Sequence, residues 1–272
     1  MKGDARGGPD LSRAAAAIRA RGGALGTPLH VLAETTSTND LAKLAARQGA
    51  PHGSTWVAES QTSGRGRQGR TWVSPPGENL LFSVLLRVSC PPARLPPLAL
   101  VAGLAVRDAA AKALLGVAGA PEPQLKWPND VVVGAKKLAG VLVESVVSGA
   151  RVEALIVGIG INVHTREFPE ELLVRATSLA LLGGQGLDRA EVLADALAAL
   201  DRDMELAAAR GLGLVHARLT AADSLLGTRV RGELGEGVAS GIDLEGRLVV
   251  RGDDGVVRRW SAGEVHLVRP ST

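Results

Sequence analysis

The densest chemistry in the chain lies in nine residues, Gly64-Arg65-Gly66-Arg67-Gln68-Gly69-Arg70-Thr71-Trp72. Three glycines let the backbone turn tightly and bring its N–H groups close to a ligand. Three arginines add fixed positive charge whose planar forks match phosphate and carboxylate oxygens. The segment also spells G-x-G-x-x-G, but a dinucleotide fingerprint needs a strand before it and a helix after it. Pro75, Pro76 and Gly77 follow and forbid that helix. A Walker-type phosphate loop is absent from the sequence. The segment therefore reads as a loop that wraps a phosphate-bearing ligand without being a Rossmann turn.

Four further stretches offer polar or small residues in useful patterns. Lys126-Trp127-Pro128-Asn129-Asp130 joins a cation, a ring, an amide and a carboxylate. Pro-Asn-Asp is ordinary turn chemistry, yet the preceding lysine also suits phosphate, and Asn or Asp suits a metal ion. Ser37-Thr38-Asn39 precedes a helical pattern, so Ser37 or Asn39 reads as an N-cap; the same groups suit a small polar ligand at a helix start. Lys136-Lys137-Leu138-Ala139-Gly140 opens an apolar strand ending at Glu144 and reads as a basic hairpin. Gly158-Ile159-Gly160-Ile161-Asn162 places small residues in a buried strand, which weakens it unless something packs closely. A flat apolar ligand, anchored by Asn162, fits that pattern. The five histidines and the lone Cys90 are scattered, without metal-ligand or nucleophile–base spacing.

Composition narrows the classes. At 272 residues the chain can bury a sizeable core, as one large domain or two smaller ones. A net charge of +3 admits anionic ligands but falls short of a dedicated nucleic-acid binder. One cysteine excludes a disulfide framework within the chain and fits a reducing compartment. The first residues lack an apolar signal segment, and the longest apolar run, 98–106, is too short to cross a membrane. A cytoplasmic protein is expected.

The elements that must position these motifs are mostly strands. Residues 1–11 read as disordered, followed by a helix over 13–21 capped by Ser12. Strands are expected over 29–32, 55–59, 79–88, 124–127, 131–133, 136–147 and 152–163, with helices after Asp40, over 98–115, and from Asp188 to about Ala209. Asp188-Arg189-Ala190-Glu191 has the form of a capping box. Consecutive strands with short turns suggest an antiparallel or mixed sheet. Beyond Asp223, short segments over 229–234, 237–243, 247–251 and 256–267 suggest a small β-barrel-like module docked on the first.

Taken together and in this order, Ser37-Thr38-Asn39, Glu59 through Trp72, Lys126 through Asp130, Lys137 through Gly140 and Gly158 through Asn162 resemble the biotin protein ligases. The resemblance runs from about residue 29 to 270 and includes Trp260-x-x-Gly263-Glu264. It implies an α+β fold: a mixed antiparallel sheet like that of class II aminoacyl-tRNA synthetases over 1–222, and an SH3-like barrel over 223–272. It implies ATP and biotin as substrates with Mg²⁺, and a biotin carboxyl carrier protein of acetyl-CoA carboxylase as partner. By the same resemblance Arg67, Lys126 and Lys137 are expected in the catalytic roles, and Ser37, Thr38, Asn39, Gln61, Arg65, Gly66, Arg67, Lys137, Gly158 and Gly160 are expected to face biotin. Arg67, Arg70, Trp72, Lys126, Asn129, Asp130 and Asn162 are expected to face ATP or the adenylate, and no residue is assigned as a metal ligand. About 28 residues precede the first matched strand, too few for the winged helix-turn-helix of longer members, so operator DNA is not expected as a partner; with so short an apolar run, neither is a membrane. A homodimer through the sheet edge stays open. A lipoate ligase-like enzyme is the near rival, and an RNA-binding module the distant one, disfavoured by the scarcity of stacking aromatics.

Overall fold

The computed structural model describes residues 10–88, 90–148 and 151–268. Its larger part is a seven-stranded mixed sheet. The strands are β1 (Leu29–Thr35), β2 (Thr55–Gln61), β3 (Leu80–Leu86), β4 (Gln124–Lys126), β5 (Asp130–Val133), β6 (Lys136–Ser148) and β7 (Arg151–Ile161), in the order β1-β2-β3-β7-β6-β5-β4. Only β1 and β2 run parallel, joined across helix α2 (Thr38–Arg47); the other pairs are antiparallel. The central strands are apolar on both faces because both faces are covered. Helices α1 (Ala14–Arg21), α3 (Leu95–Ala113) and α4 (Arg189–Arg210) pack over one face. On the other, α2 lays Ala42 and Ala46 against Trp56, Leu85, Val146, Ala154 and Ile156.

A second sheet, entirely antiparallel, follows helix α5 (His216–Ala222). Its strands β8 (Arg229–Gly232), β9 (Gly235–Ile242), β10 (Leu248–Arg251), β11 (Val257–Trp260) and β12 (His266–Leu267) lie in the order β11-β10-β9-β8-β12. Trp260, 2% exposed, fills its interior, packed so closely on Gly232 that a Cβ there would come within 2.6 Å of the ring. The buried Trp127 indole donates to Gly246 O at 2.9 Å, Ser224 N donates to Leu125 O at 2.8 Å, and His216 Nε2 sits 2.7 Å from Ile242 O. The first bond joins turns of the two sheets, the second ties the segment after α5 to β4, and the third ties α5 to the end of β9.

Several expectations are corrected. Residues 1–9 lie outside the described residues, but Asp10 and Leu11 are ordered. Leu11 is buried in the core, worth ~2 kcal/mol, and Asp10 caps the first turn through Leu11 N. Ser12 is not the cap. The third helix begins at Leu95, so Pro96 and Pro97 sit in its first turn, where their missing N–H groups are not needed. Asp188 does cap α4, accepting from Ala190 N at 2.9 Å, but Glu191 turns away to Arg21, so there is no reciprocal capping box. The single segment expected over 256–267 divides into β11 and β12. Among the described residues no helix is long and apolar enough to cross a membrane.

Candidate active site

The Gly/Arg segment folds as a small hairpin. Trp72 N donates to Gly64 O at 3.0 Å, Gly66 N donates to Arg70 O at 2.7 Å, and Arg65 bridges Thr71 between them. Gln68, at φ 54°, makes the tip, which explains how a polar side chain serves where glycine is commoner. The hairpin leans over a cleft of about 630 Å³. The floor is β3, β7 and β6; one wall is the β4–β5 turn; the other includes 168–176 and the Gly263–His266 stretch of the second sheet.

The inner end of the cleft is polar and neutral. Thr38 N donates to Gln61 Oε1 at 2.8 Å, and Ser83 Oγ lies 2.7 Å from Thr38 Oγ1 and 2.5 Å from Asn39 Oδ1. Ser37 occupies the N-cap position of α2 but makes no side-chain cap bond, and Asn39 does not cap either. Asn39 instead lies over Gly158, where a Cβ would come within 2.8 Å of its Cγ. Its amide donates to Glu144 Oε2 at 2.7 Å. Glu144 also pairs with Lys43 and accepts from Arg65 Nη2 at 3.1 Å. Burial raises the Glu144 carboxyl, but bonds from Lys43 and Asn39 and the charges of Lys43 and Arg65 outweigh it, leaving the group below the ordinary glutamate range.

The outer end is cationic. Lys126 and Asp130 are register partners across the β4–β5 hairpin. Lys137 Nζ forms an ion pair with Asp130 Oδ1 at 2.7 Å. Arg67 Nη1 donates to Asn129 Oδ1 at 3.1 Å, while Asn129 is itself held on β6 through Val141 O at 2.7 Å. Burial lowers the Arg67 guanidinium and the Lys126 ammonium; Asp130 opposes both shifts, and Arg70 and Lys137 respectively add to them. Three cations thus surround one carboxylate, and the surplus positive charge suits an anion. Arg70 reaches outward to Glu264 of the second sheet and to Gln68 Oε1 at 3.1 Å.

The paired glycines have a specific partner. Gly140 and Gly160 are opposite each other on β6 and β7, and the Trp72 ring lies across them. A Cβ on Gly160 would stand 2.5 Å from Trp72 Cε2. Lys137 Nζ sits 5.4 Å from the ring centroid, a cation–π contact. The flat apolar group lying beside this strand in the structure is the chain's own indole, and its Nε1 is buried with no hydrogen-bond partner among the described residues. Overpacking costs about 1–3 kcal/mol, so Gly160→Ala should raise KM for the cleft's ligand about 10- to 100-fold and shift tryptophan emission to the red; unchanged emission and KM would count against this seat for Trp72.

Every residue expected at the site lines this one cleft: Ser37, Thr38, Asn39, Gln61, Arg65, Gly66, Arg67, Arg70, Trp72, Lys126, Asn129, Asp130, Lys137, Gly158, Gly160 and Asn162. Asn162 is the most committed elsewhere, its Nδ2 donating to Thr177 O at 3.0 Å to hold the following segment. Phe168, Leu172, Arg175 and Ala176 also line the cleft and were not expected from sequence, because their stretch has no periodicity or motif. Among the described residues, no group of three or more His, Cys, Asp or Glu could hold a metal.

A small neutral pocket thus opens into a cationic mouth, with the arginine hairpin across both. A sequence profile described as the biotin/lipoate A/B protein ligase family matches residues 31–162, and one described as the biotin protein ligase C-terminal domain matches 225–268. Among curated relatives, "Biotin--[acetyl-CoA-carboxylase] ligase" of Mycobacterium tuberculosis is 39% identical over 249 residues, 88% of this chain and 89% of its own. "Bifunctional ligase/repressor BirA" of Bacillus spizizenii is 34% identical, over 84% of this chain and 70% of its own. Among solved structures, the biotin protein ligase of Aquifex aeolicus in complex with biotin and ATP superimposes with a TM-score of 0.72 at 35% identity, covering 89% of this chain and 98% of that one. The chain belongs to the biotin protein ligase family.

Proposed function

We infer that the protein activates biotin with ATP and transfers it to a lysine of a biotin carboxyl carrier protein, the carrier being that of acetyl-CoA carboxylase. The observation that carries this reading is the cluster of Arg67, Lys126 and Lys137 around the single carboxylate of Asp130, beside a neutral pocket built from Thr38, Asn39 and Gln61. In the first step a carboxylate oxygen of biotin attacks the α-phosphorus of ATP. The bond to the bridging oxygen breaks and its electron pair leaves on pyrophosphate. Two anions must meet, so the work of the site is charge neutralisation and alignment. In this reading Arg67 and Lys126 bridge biotin carboxylate and α-phosphate, Lys137 holds the biotin carboxylate, and Arg70 with Asn129, Asp130 and Asn162 seats the nucleotide. In the second step a neutral carrier lysine attacks the acyl carbon, the acyl C–O bond breaks, AMP departs, and the amine proton is lost. Trp72 and the hairpin keep water from the anhydride meanwhile, and the hairpin's closure over ligand is part of the proposal.

Mg²⁺ belongs to this reading as part of the ATP substrate. Asp130 is already engaged by Lys137, so the ion travels on the phosphates, where it shields the leaving pyrophosphate. The finer fold assignments, a synthetase-like sheet over 1–222 and an SH3-like module over 223–272, accompany the reading, as does a cytoplasmic setting. DNA and membrane binding form no part of it. ATP–pyrophosphate exchange tests the activation step: exchange dependent on biotin and not on lipoate is expected, and the reverse dependence would overturn the reading.

A further inference from the structure

Glu144 does not line the cleft, yet it touches groups that do. Its carboxylate accepts from Asn39 Nδ2 at 2.7 Å and from Arg65 Nη2 at 3.1 Å, and it pairs with Lys43. Three elements meet on this one group: α2 through Asn39 and Lys43, the hairpin through Arg65, and β6 through Glu144 itself. We propose that Glu144 is a positioning residue for biotin, acting through Asn39 and Arg65 to fix the hydrogen-bond sense of the inner pocket and to moor the hairpin beside it. The proposal rests on the biotin-activating reading above.

The direction of the chain follows from what each group can donate. An ionised carboxylate only accepts, so Asn39 must present its NH₂ to Glu144. Asn39 Oδ1 then faces Ser83, 2.5 Å away, and takes that hydroxyl's one proton. Ser83 Oγ is left to accept from the Thr38 hydroxyl at 2.7 Å. Thr38 Oγ1 also lies 3.2 Å from Gln61 Oε1, but with its one proton given to Ser83 it cannot donate there, and the backbone N–H, at 2.8 Å, holds the Gln61 amide oxygen. One charge behind the pocket therefore sets the donor–acceptor order of four side chains. The ureido ring of biotin, two N–H donors flanking a carbonyl, is a ligand that distinguishes such an ordered array from a scrambled one. Arg65 Nη2 is also 2.6 Å from Asp40 Oδ1, but Asp40 is half exposed, and exposed pairs hold weakly. The Glu144 contact is the better anchored of the two.

Glu144→Gln keeps the shape, removes the charge and frees the amide order. In pyrophosphate exchange with biotin and ATP varied separately, it should raise KM for biotin about tenfold or more while KM for ATP stays within about twofold. Ser83→Ala, which also lies behind the cleft lining, interrupts the chain without touching charge and should likewise raise KM for biotin selectively; it carries the test if Glu144→Gln does not fold. Trypsin cleavage within the hairpin should speed up in Glu144→Gln and be unaltered in Ser83→Ala. An unchanged KM for biotin in either folded variant would overturn the proposal. So would a parallel rise in both KM values with a lowered melting temperature, the mark of a merely structural role. A wild type without biotin-dependent exchange would bring down the functional reading, and this one with it, a result plainly different from an unaltered KM in a working enzyme.

Discussion

Lys126→Ala should slow biotin adenylation about 100- to 1,000-fold, with the fold intact. The magnitude is that of removing one preorganised charge from the place where charge develops in a transition state. Lys126 ends β4 and shares the pocket with Arg67, Lys137 and the carboxylate of Asp130. Burial already works against its ammonium, so deleting the side chain relieves a desolvation cost in the resting protein. Stability should therefore hold while catalysis falls. Arg67→Ala should behave similarly, since Asn129 aims that guanidinium into the same cleft. Measuring kcat for pyrophosphate exchange beside a thermal melt separates the two effects. If both variants keep kcat within about threefold of wild type, the assignment of these cations to the reacting phosphate is wrong.

The second large effect lies away from the cleft. Arg189, only 2% exposed, donates to Asp10 Oδ1 at 2.7 Å and to Glu59 Oε2 at 2.5 Å, and reaches Asn79 O. It locks the start of α4 to β2 and to the first described residues. Removing one member of a buried ion network costs about 3–5 kcal/mol because the remaining charges lose their compensation. Arg189→Met, similar in bulk, should lower stability by that amount at neutral pH. Burial raises the Asp10 carboxyl, but the hydrogen bonds and charge of Arg189 prevail and hold it at about 2 against an ordinary 3.8. A depressed folded pKa means stabilisation that is complete above 3.8 and is lost as pH falls toward 2. The variant lacks this contribution, so its deficit against wild type should shrink as pH drops through that window. Denaturant melts of both proteins at pH 7 and near pH 3 would show it, and a deficit that is constant with pH would refute the role given to Asp10.

Much of the site was legible because its chemistry is local. The hairpin, the Lys126–Asp130 turn and the Gly158–Asn162 strand each occupy a few consecutive residues, and all converge on one cleft. An antiparallel or mixed sheet and a separate unit of short strands after Asp223 were also readable from strand spacing, though not the strand order, which depends on pairings far apart in sequence, nor the division of 256–267 into two strands. What stayed hidden was relational. Nothing near Glu144 reveals that Asn39, Lys43 and Arg65 meet on it. Nothing about Arg189 announces burial, since arginine is ordinarily a surface residue. Asp10 looked like part of a polar tail, and its strongest tie is to Arg189, 179 residues away. Gly160 makes the same point: the pattern called for a flat group beside the strand, and only the fold could say that the Trp72 ring lies there.

The pairing of Arg70 with Glu264 sets a condition on how this chain can vary. The cleft takes its outer wall, Gly263 through His266, from the second sheet, so the two sheets cannot drift or be exchanged independently. A chimaera that borrowed residues 225–268 from a relative would bring a foreign residue opposite the hairpin, with both sheets individually sound and the cleft mismatched. The heritable unit of this site is the whole span from Ser37 to His266.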